Sequence, residues 1–217
     1  MCFSASASFT LGSALIAIGI ATTTKIKAKK FLPIALIPLL FGIQQYAEGV
    51  LWLYSETPSQ IATIFKNIFL FFAFFFWPIW IPLSLFIAEI KPSKKIFTSL
   101  FLGLGIGVGI LQGILIPLML PKVYCSSIQY AFDPRINIPT IALYTFSWIA
   151  FILYALAIIC PMFISSLNRM KIMGSLVAAS AIIILIIDQA FFISMWCFFA
   201  ALISLAVYYI LRKEKAI

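Results

Sequence analysis

The sequence has no histidine, six acidic residues and four cysteines in 217 residues. Without histidine, His-ligated haem, the usual zinc sites, Ser–His nucleophile pairs and histidine proton relays are excluded. No two cysteines are close enough for a CxxC pair, which argues against iron–sulfur ligation and a thioredoxin-type redox motif. No cofactor and no metal site are therefore expected. Charge is scarce as well: 10% of residues are charged, against about 25% in soluble domains. What fills the chain instead is apolar. Hydrophobic residues reach 64%, well above the roughly 45–50% of a soluble domain. No soluble globule can cover that much apolar surface, so the chain reads as an all-α, polytopic membrane protein.

The apolar residues fall into seven continuous runs: 9–23, 31–54, 61–90, 96–120, 141–166, 172–190 and 192–211. They do not alternate, so helices are expected rather than a barrel. Seven spans of about 20 residues take roughly 140 positions, which leaves room for one membrane domain only. The join between the last two runs is marked only by Asp188 and Gln189, and a six-span reading with one bent segment is the alternative. No basic residue precedes the first run, the first lysine being Lys25. That run is expected to remain a span rather than a cleaved signal peptide.

The basic residues set an orientation. Lys25, Lys27, Lys29, Lys30, Lys91, Lys94, Lys95, Arg169, Lys171, Arg212, Lys213 and Lys215 fall on one side, and Lys66, Lys122 and Arg135 on the other. The positive-inside rule then places the N-terminus outside and the C-terminus inside. The net charge of +9 is mostly this topology signal, with some attraction to anionic lipid, and calls for no nucleic-acid partner.

With that orientation the polar residues within the spans lie towards the outside. Gln44, Gln45 and Glu48 fall in the outer half of the second span and Lys66 and Asn67 near the outer end of the third. Gln112 falls in the outer half of the fourth, and Asp188 and Gln189 at the outer end of the sixth. The inner halves hold little beyond Cys160, with Glu89 at a boundary. A pore or carrier usually needs polar groups along its path. The pattern here predicts an outward-facing polar bowl with an apolar floor, walled by the first, second, fourth, sixth and seventh spans.

Gln44, Glu48 and Trp52 stack at i, i+4 and i+8, with Gln45 three residues from Glu48. A charge there costs about 2.5–3.5 kcal/mol on insertion scales. Glu48 is therefore paired, protonated or facing water. It reads as a proton acceptor or cation ligand, or else as hydrogen-bonded glue between helices. Asp188 could meet Glu48 as a second carboxylate, though an N-cap of the last helix suits it better. The ligand-binding candidates are thus Glu48, Gln44, Gln45, Trp52, Asp188 and Gln112. Cys2 and Cys125 share the outer side, where a disulfide would persist. The other reading of Cys2 is an exposed thiol nucleophile, with no histidine to serve as its base.

Gly105, Gly109 and Gly113 repeat at the four-residue spacing of close helix packing. Trp77-Pro78-Ile79-Trp80-Ile81-Pro82 should kink the third span. The segment 121–140, with Tyr124, Tyr130, Pro134 and Pro139, reads as an ordered cap over the bowl.

The start Met1-Cys2-Phe3-Ser4-Ala5 resembles a bacterial membrane family of unknown function whose members begin in this way. The stretch from Ile37-Pro38 through Gln44-Gln45, Glu48-Gly49 and Trp52 is similar to its second span, and Trp196-Cys197-Phe198-Phe199 to its last. The resemblance implies a small multi-span protein, adds weight to Cys2, Gln45, Glu48 and Trp52, and implies no reaction. Other seven-span families fit poorly. Retinal proteins need a lysine in the last span, ceramidase-like hydrolases need zinc-binding histidines, and intramembrane aspartyl proteases need two membrane aspartates.

The expectation is therefore a bundle in a bacterial inner membrane whose partners are the bilayer and a small ligand, cation or lipid headgroup, in a sensing or accessory role. Its rivals are a proton- or cation-coupled transporter using Glu48, an enzyme using Cys2 or a Glu48/Asp188 pair, and a purely structural subunit. The oligomeric state is open.

Overall fold

The computed structural model describes residues 4–54, 59–124, 127–135, 140–187 and 189–214. Seven helical stretches are long and apolar enough to cross a membrane: Ala5–Thr24, Lys29–Leu53, Gln60–Ala88, Pro92–Leu118, Phe146–Ile164, Met170–Ile187 and Gln189–Lys213. This is a multi-pass membrane protein, and the seven-span reading holds over the six-span one. A short 3-10 turn at Gln189–Phe191 separates the last two spans.

The first span is α1 (Ala5–Thr24), capped by the Ser4 hydroxyl, which accepts from the Ala7 amide. It packs along the second span, made of α2 (Leu32–Ala35) and α3 (Ile37–Leu53). Glycine permits the close approach: a β-carbon on Gly19 would stand 2.5 Å from the Leu39 amide nitrogen, and one on Gly42 2.9 Å from the Gly12 carbonyl oxygen.

The third span carries α4 (Gln60–Leu70), a π-helical segment at Phe71–Phe76, and α5 (Trp77–Ala88). The sequence predicted a proline kink here, and the structure adds the wider turn that precedes it. The Trp77 amide bonds to the Phe72 carbonyl, five residues back. In that register the Ala73 carbonyl faces Pro78, which has no N–H to give. The Tyr154 hydroxyl donates to it instead, at 2.6 Å. Pro82 likewise leaves the Pro78 carbonyl without its helical donor. That oxygen is packed against Gly105, where a β-carbon would fall 1.8 Å away.

The fourth span is α6 (Pro92–Gly113) with a 3-10 turn at Ile116–Leu118. Gly105, Gly109 and Gly113 all face the third span, whereas β-carbons on Gly103 and Gly107 would meet nothing within 4 Å. The fourth run does not stay helical to residue 120. Met119–Tyr124 forms β1, which pairs antiparallel with β2 (Ser127–Phe132), Met119 opposite Phe132 and Ile128 opposite Val123. The cap segment therefore contains a β-hairpin. The remaining spans are α7 (Thr140–Ile164), α8 (Met170–Ile187), and α9 (Phe192–Ser204) followed by α10 (Ala206–Lys213).

The basic loops meet at one end of the bundle. Lys25 Nζ donates to the Tyr208 hydroxyl, Lys94 Nζ to the Ser165 carbonyl, and Arg169 lies 3.7 Å from Glu214. Glu89 is the centre of this end. Its carboxylate accepts from the amides of Ile90, Lys91 and Ser166, at 3.0, 3.0 and 2.8 Å. Burial alone would raise this carboxyl, but the N–H groups of Lys91, Ser166 and Ile90 outweigh it and hold the group below its ordinary value.

Candidate functional site

The opposite end carries the hairpin, and the buried amide and carboxyl side chains of the second span lie at this end. Gln44 and Glu48 share one face of α3, with Gln45 beside them, and all three are buried. Their partners come from elsewhere in the fold. Gln44 Oε1 accepts from the indole nitrogen of Trp77 at 2.6 Å, and the Trp77 ring stacks on Phe41 at 3.8 Å. Gln45 Nε2 donates to Glu48 Oε2 at 3.4 Å. The Ser194 hydroxyl on α9 donates to Glu48 Oε1. One turn further along α9, the Cys197 thiol lies beside Gln44. This cluster ties α3 to α5 and α9 through polar groups that would otherwise be stranded in hydrocarbon.

No cation reaches Glu48 among the described residues. Asp188, read as an N-cap or as a second carboxylate for Glu48, lies outside them, as do Cys2 and Cys125. Ser194 was not singled out from the sequence. A serine in an apolar span carries no mark of its own, although its position three residues before Cys197 puts both on one helical face.

Lys66 is the buried cation of this end, 4% exposed. Its ammonium donates to the carbonyls of Ile116 and Met119, at 3.3 and 2.9 Å. These carbonyls close the 3-10 turn at the end of the fourth span, where helix ends leave acceptors free and attract positive charge. Lys66 thus fixes α4 to the start of the hairpin. The hairpin's own apolar side is buried, with Ile128 fully covered and Tyr130 stacked on Phe69 at 5.2 Å. Beyond β2, the exposed Arg135 holds the partly buried Asp133 carboxyl down to about 2.

A cavity of about 340 Å³ opens beside the polar cluster. One wall is formed by the π-helical segment, the end of α6 and the hairpin, contributing Ala73, Phe74, Gln112, Met119 and Tyr130. The facing wall comes from α7 and α9 and is aromatic, including Phe151, Tyr154, Phe192 and Trp196. Its rings engage one another: Phe151 meets Phe192 edge-on at 4.9 Å, and Tyr154 meets Trp196 at 5.6 Å. The exposed lining residues Ser147 and Gln189 mark the mouth.

Of the residues expected to bind ligand, the cavity takes in Gln112. Gln44, Gln45 and Glu48 lie behind it, with Cys197 between. Trp52 packs at the edge of the apolar cluster under the hairpin. The walls also differ from those expected: they come from the third to seventh spans and the hairpin, and neither of the first two spans contributes. The second span's Gln44, Gln45 and Glu48 instead bond to Trp77, to each other and to Ser194, although Gln44 Nε2 and Gln45 Oε1 have no partner among the described residues.

Two buried oxygens on the cavity wall, Gln112 Oε1 and the Tyr130 hydroxyl, have no hydrogen-bond partner among the described residues. Burial pushes the Tyr130 hydroxyl well above its ordinary value, and the nearby Glu48 carboxyl adds to this, so it remains a neutral donor.

No curated protein and no solved structure matches the chain. A family model does, over residues 1–217, and its extent matches the resemblance seen at both ends of the sequence. The protein with this hairpin-capped, seven-helix architecture therefore belongs to DUF6629, a family of unknown function.

Proposed function

We propose that the protein binds a small ligand in the cavity beneath the hairpin, as a sensor or accessory protein of a bacterial inner membrane. The hairpin end faces outward and the basic end faces the cytoplasm, so the N-terminus is outside. One observation carries the reading: a cavity of about 340 Å³ whose wall includes two buried, unpartnered polar oxygens. That volume lies within the roughly 300–1,000 Å³ of small-molecule sites. Buried polar atoms without partners are uncommon in folded proteins and point to a missing one.

The test is native mass spectrometry of protein extracted from membranes in mild detergent, with thermal-shift screening of lipids and metabolites. Ala150 lines the cavity and is buried. A150L should fill part of the space and abolish both the adduct and the ligand-induced shift while the bundle stays folded. Retention of ligand in A150L would remove the cavity as its site.

A second reading is a proton-coupled transporter centred on Glu48. It is favoured by a fully buried carboxyl whose partners are a hydroxyl and an amide. That reading requires E48Q to abolish transport, and it requires Cys160 to become reachable by thiol reagents from the cytoplasmic side.

A further inference from the structure

The two walls of the cavity differ in what they leave unused. On the aromatic wall the polar atoms are committed: the Tyr154 hydroxyl donates to the Ala73 carbonyl, and the Trp196 indole to the Val177 carbonyl. On the opposite wall the Gln112 carbonyl oxygen and the Tyr130 hydroxyl are not. Tyr130 is 6% exposed, so its hydroxyl cannot turn to bulk water. Among the described residues lining the cavity, none is Asp, Glu, Lys or Arg. An anionic head would find no counter-charge there. A cationic head would find rings already occupied by one another rather than an open cage.

We propose that the ligand of this cavity is an uncharged amphiphile whose hydroxyl head lies against Tyr130 and Gln112 and whose hydrocarbon body lies against the aromatic wall. The assignment rests on the cavity being the binding site. A hydroxyl is the smallest group that both donates and accepts. It can give its proton to the Gln112 carbonyl oxygen and take one from the Tyr130 hydroxyl. A carboxylate or phosphate could only accept, and would carry its charge into a site that does not neutralise it. An ammonium could only donate: it could reach the Gln112 and Tyr130 oxygens, but would give the Tyr130 O–H no acceptor and would bring in an unneutralised charge.

The experiment uses four brominated dodecyl probes with one chain and different heads: alcohol, carboxylate, primary ammonium and plain alkane. Bromine quenches tryptophan on contact, and Trp148 and Trp196 both line the cavity. The full-length protein in nanodiscs is titrated with each probe, with W148F as the control for non-specific quenching. The alcohol is expected to quench saturably and to bind about tenfold more tightly than the other three, the scale of one or two buried hydrogen bonds. Y130F and Q112L should each cut alcohol affinity by about five- to tenfold and leave the alkane unchanged. Neither change alters the packed aromatic wall, and Y130F keeps the ring stacked on Phe69.

Equal or tighter binding of a charged probe would overturn the proposal. Equal binding of all four, with Y130F silent, would leave the cavity as a ligand site and reject the hydroxyl head. No saturable quenching by any probe would reject the cavity itself, and the proposal with it.

Discussion

Among the described residues each end of the bundle buries one glutamate, and the two are held in opposite ways. At the basic end, Glu89 accepts from three backbone N–H groups in fixed positions, with lysines close by. At the hairpin end, Glu48 is 1% exposed and accepts from one hydroxyl and one amide, both on side chains that can turn. The first arrangement demands an anion. The second tolerates a neutral group as readily as a charged one. Burial alone is thus a poor guide to function, and the nature of the donors separates a structural clamp from a group free to change state.

The sharpest way to break this contrast is to remove the clamp. E89A should lower stability by about 3 kcal/mol or more, since it strands buried N–H donors that cost about 1–3 kcal/mol each. The drop would be read from the thermal midpoint in detergent. The sign with pH follows from the lowered Glu89 value. Its stabilisation is fully present above the ordinary glutamate value of 4.5 and is lost as pH falls through the lower folded value. Acid destabilisation below that point should therefore weaken in E89Q. If the pH profile of E89Q overlays the wild type, Glu89 is not the clamp.

The hairpin end has its own clamp in Lys66, and K66M should cost about 2 kcal/mol, the scale of hydrogen bonds to a charged group. Hydrogen exchange should quicken first in residues 119–132 if the lysine anchors the hairpin. A smaller loss, about 1 kcal/mol, is expected for S194A, which removes one donor to Glu48. E48Q should change the midpoint least of all, by about 0.5 kcal/mol or less, because both partners can reorient and the membrane charge cost disappears. A loss in E48Q as large as in E89Q would abolish the distinction between the two glutamates.

The spans were plain in the sequence because hydrocarbon imposes a length on them, and each expected run lies within a few residues of a helix except at the two ends of the hairpin loop. The hairpin was hidden by its prolines, although Ile128, Tyr130 and Phe132 already alternate as a half-buried strand should. Glu48 stood out because an acid in an apolar run is costly wherever it points. Its partner did not, since Ser194 is a small residue whose lone hydroxyl carries no mark of its own in an apolar run. Of the cavity, Gln112 and the capping segment were legible, but its aromatic wall left no trace. Phe151, Trp196 and Tyr154 look like ordinary packing in a one-dimensional string, and only the way α7 and α9 stand off from the π-helical segment leaves space between them.

That π-helical segment can also be seen as a problem of phase. One additional residue within a turn advances everything after it by about 100° around the helix axis. Upstream of it, Phe69 presents its ring to Tyr130. Downstream, Trp77 presents its indole to Gln44. An uninterrupted α-helix could satisfy one of these contacts and would swing the other away. Deleting a single residue between 71 and 76 would therefore make the helix more regular and the protein worse. The irregular turn lets one continuous span serve the hairpin with its first half and the buried polar cluster with its second.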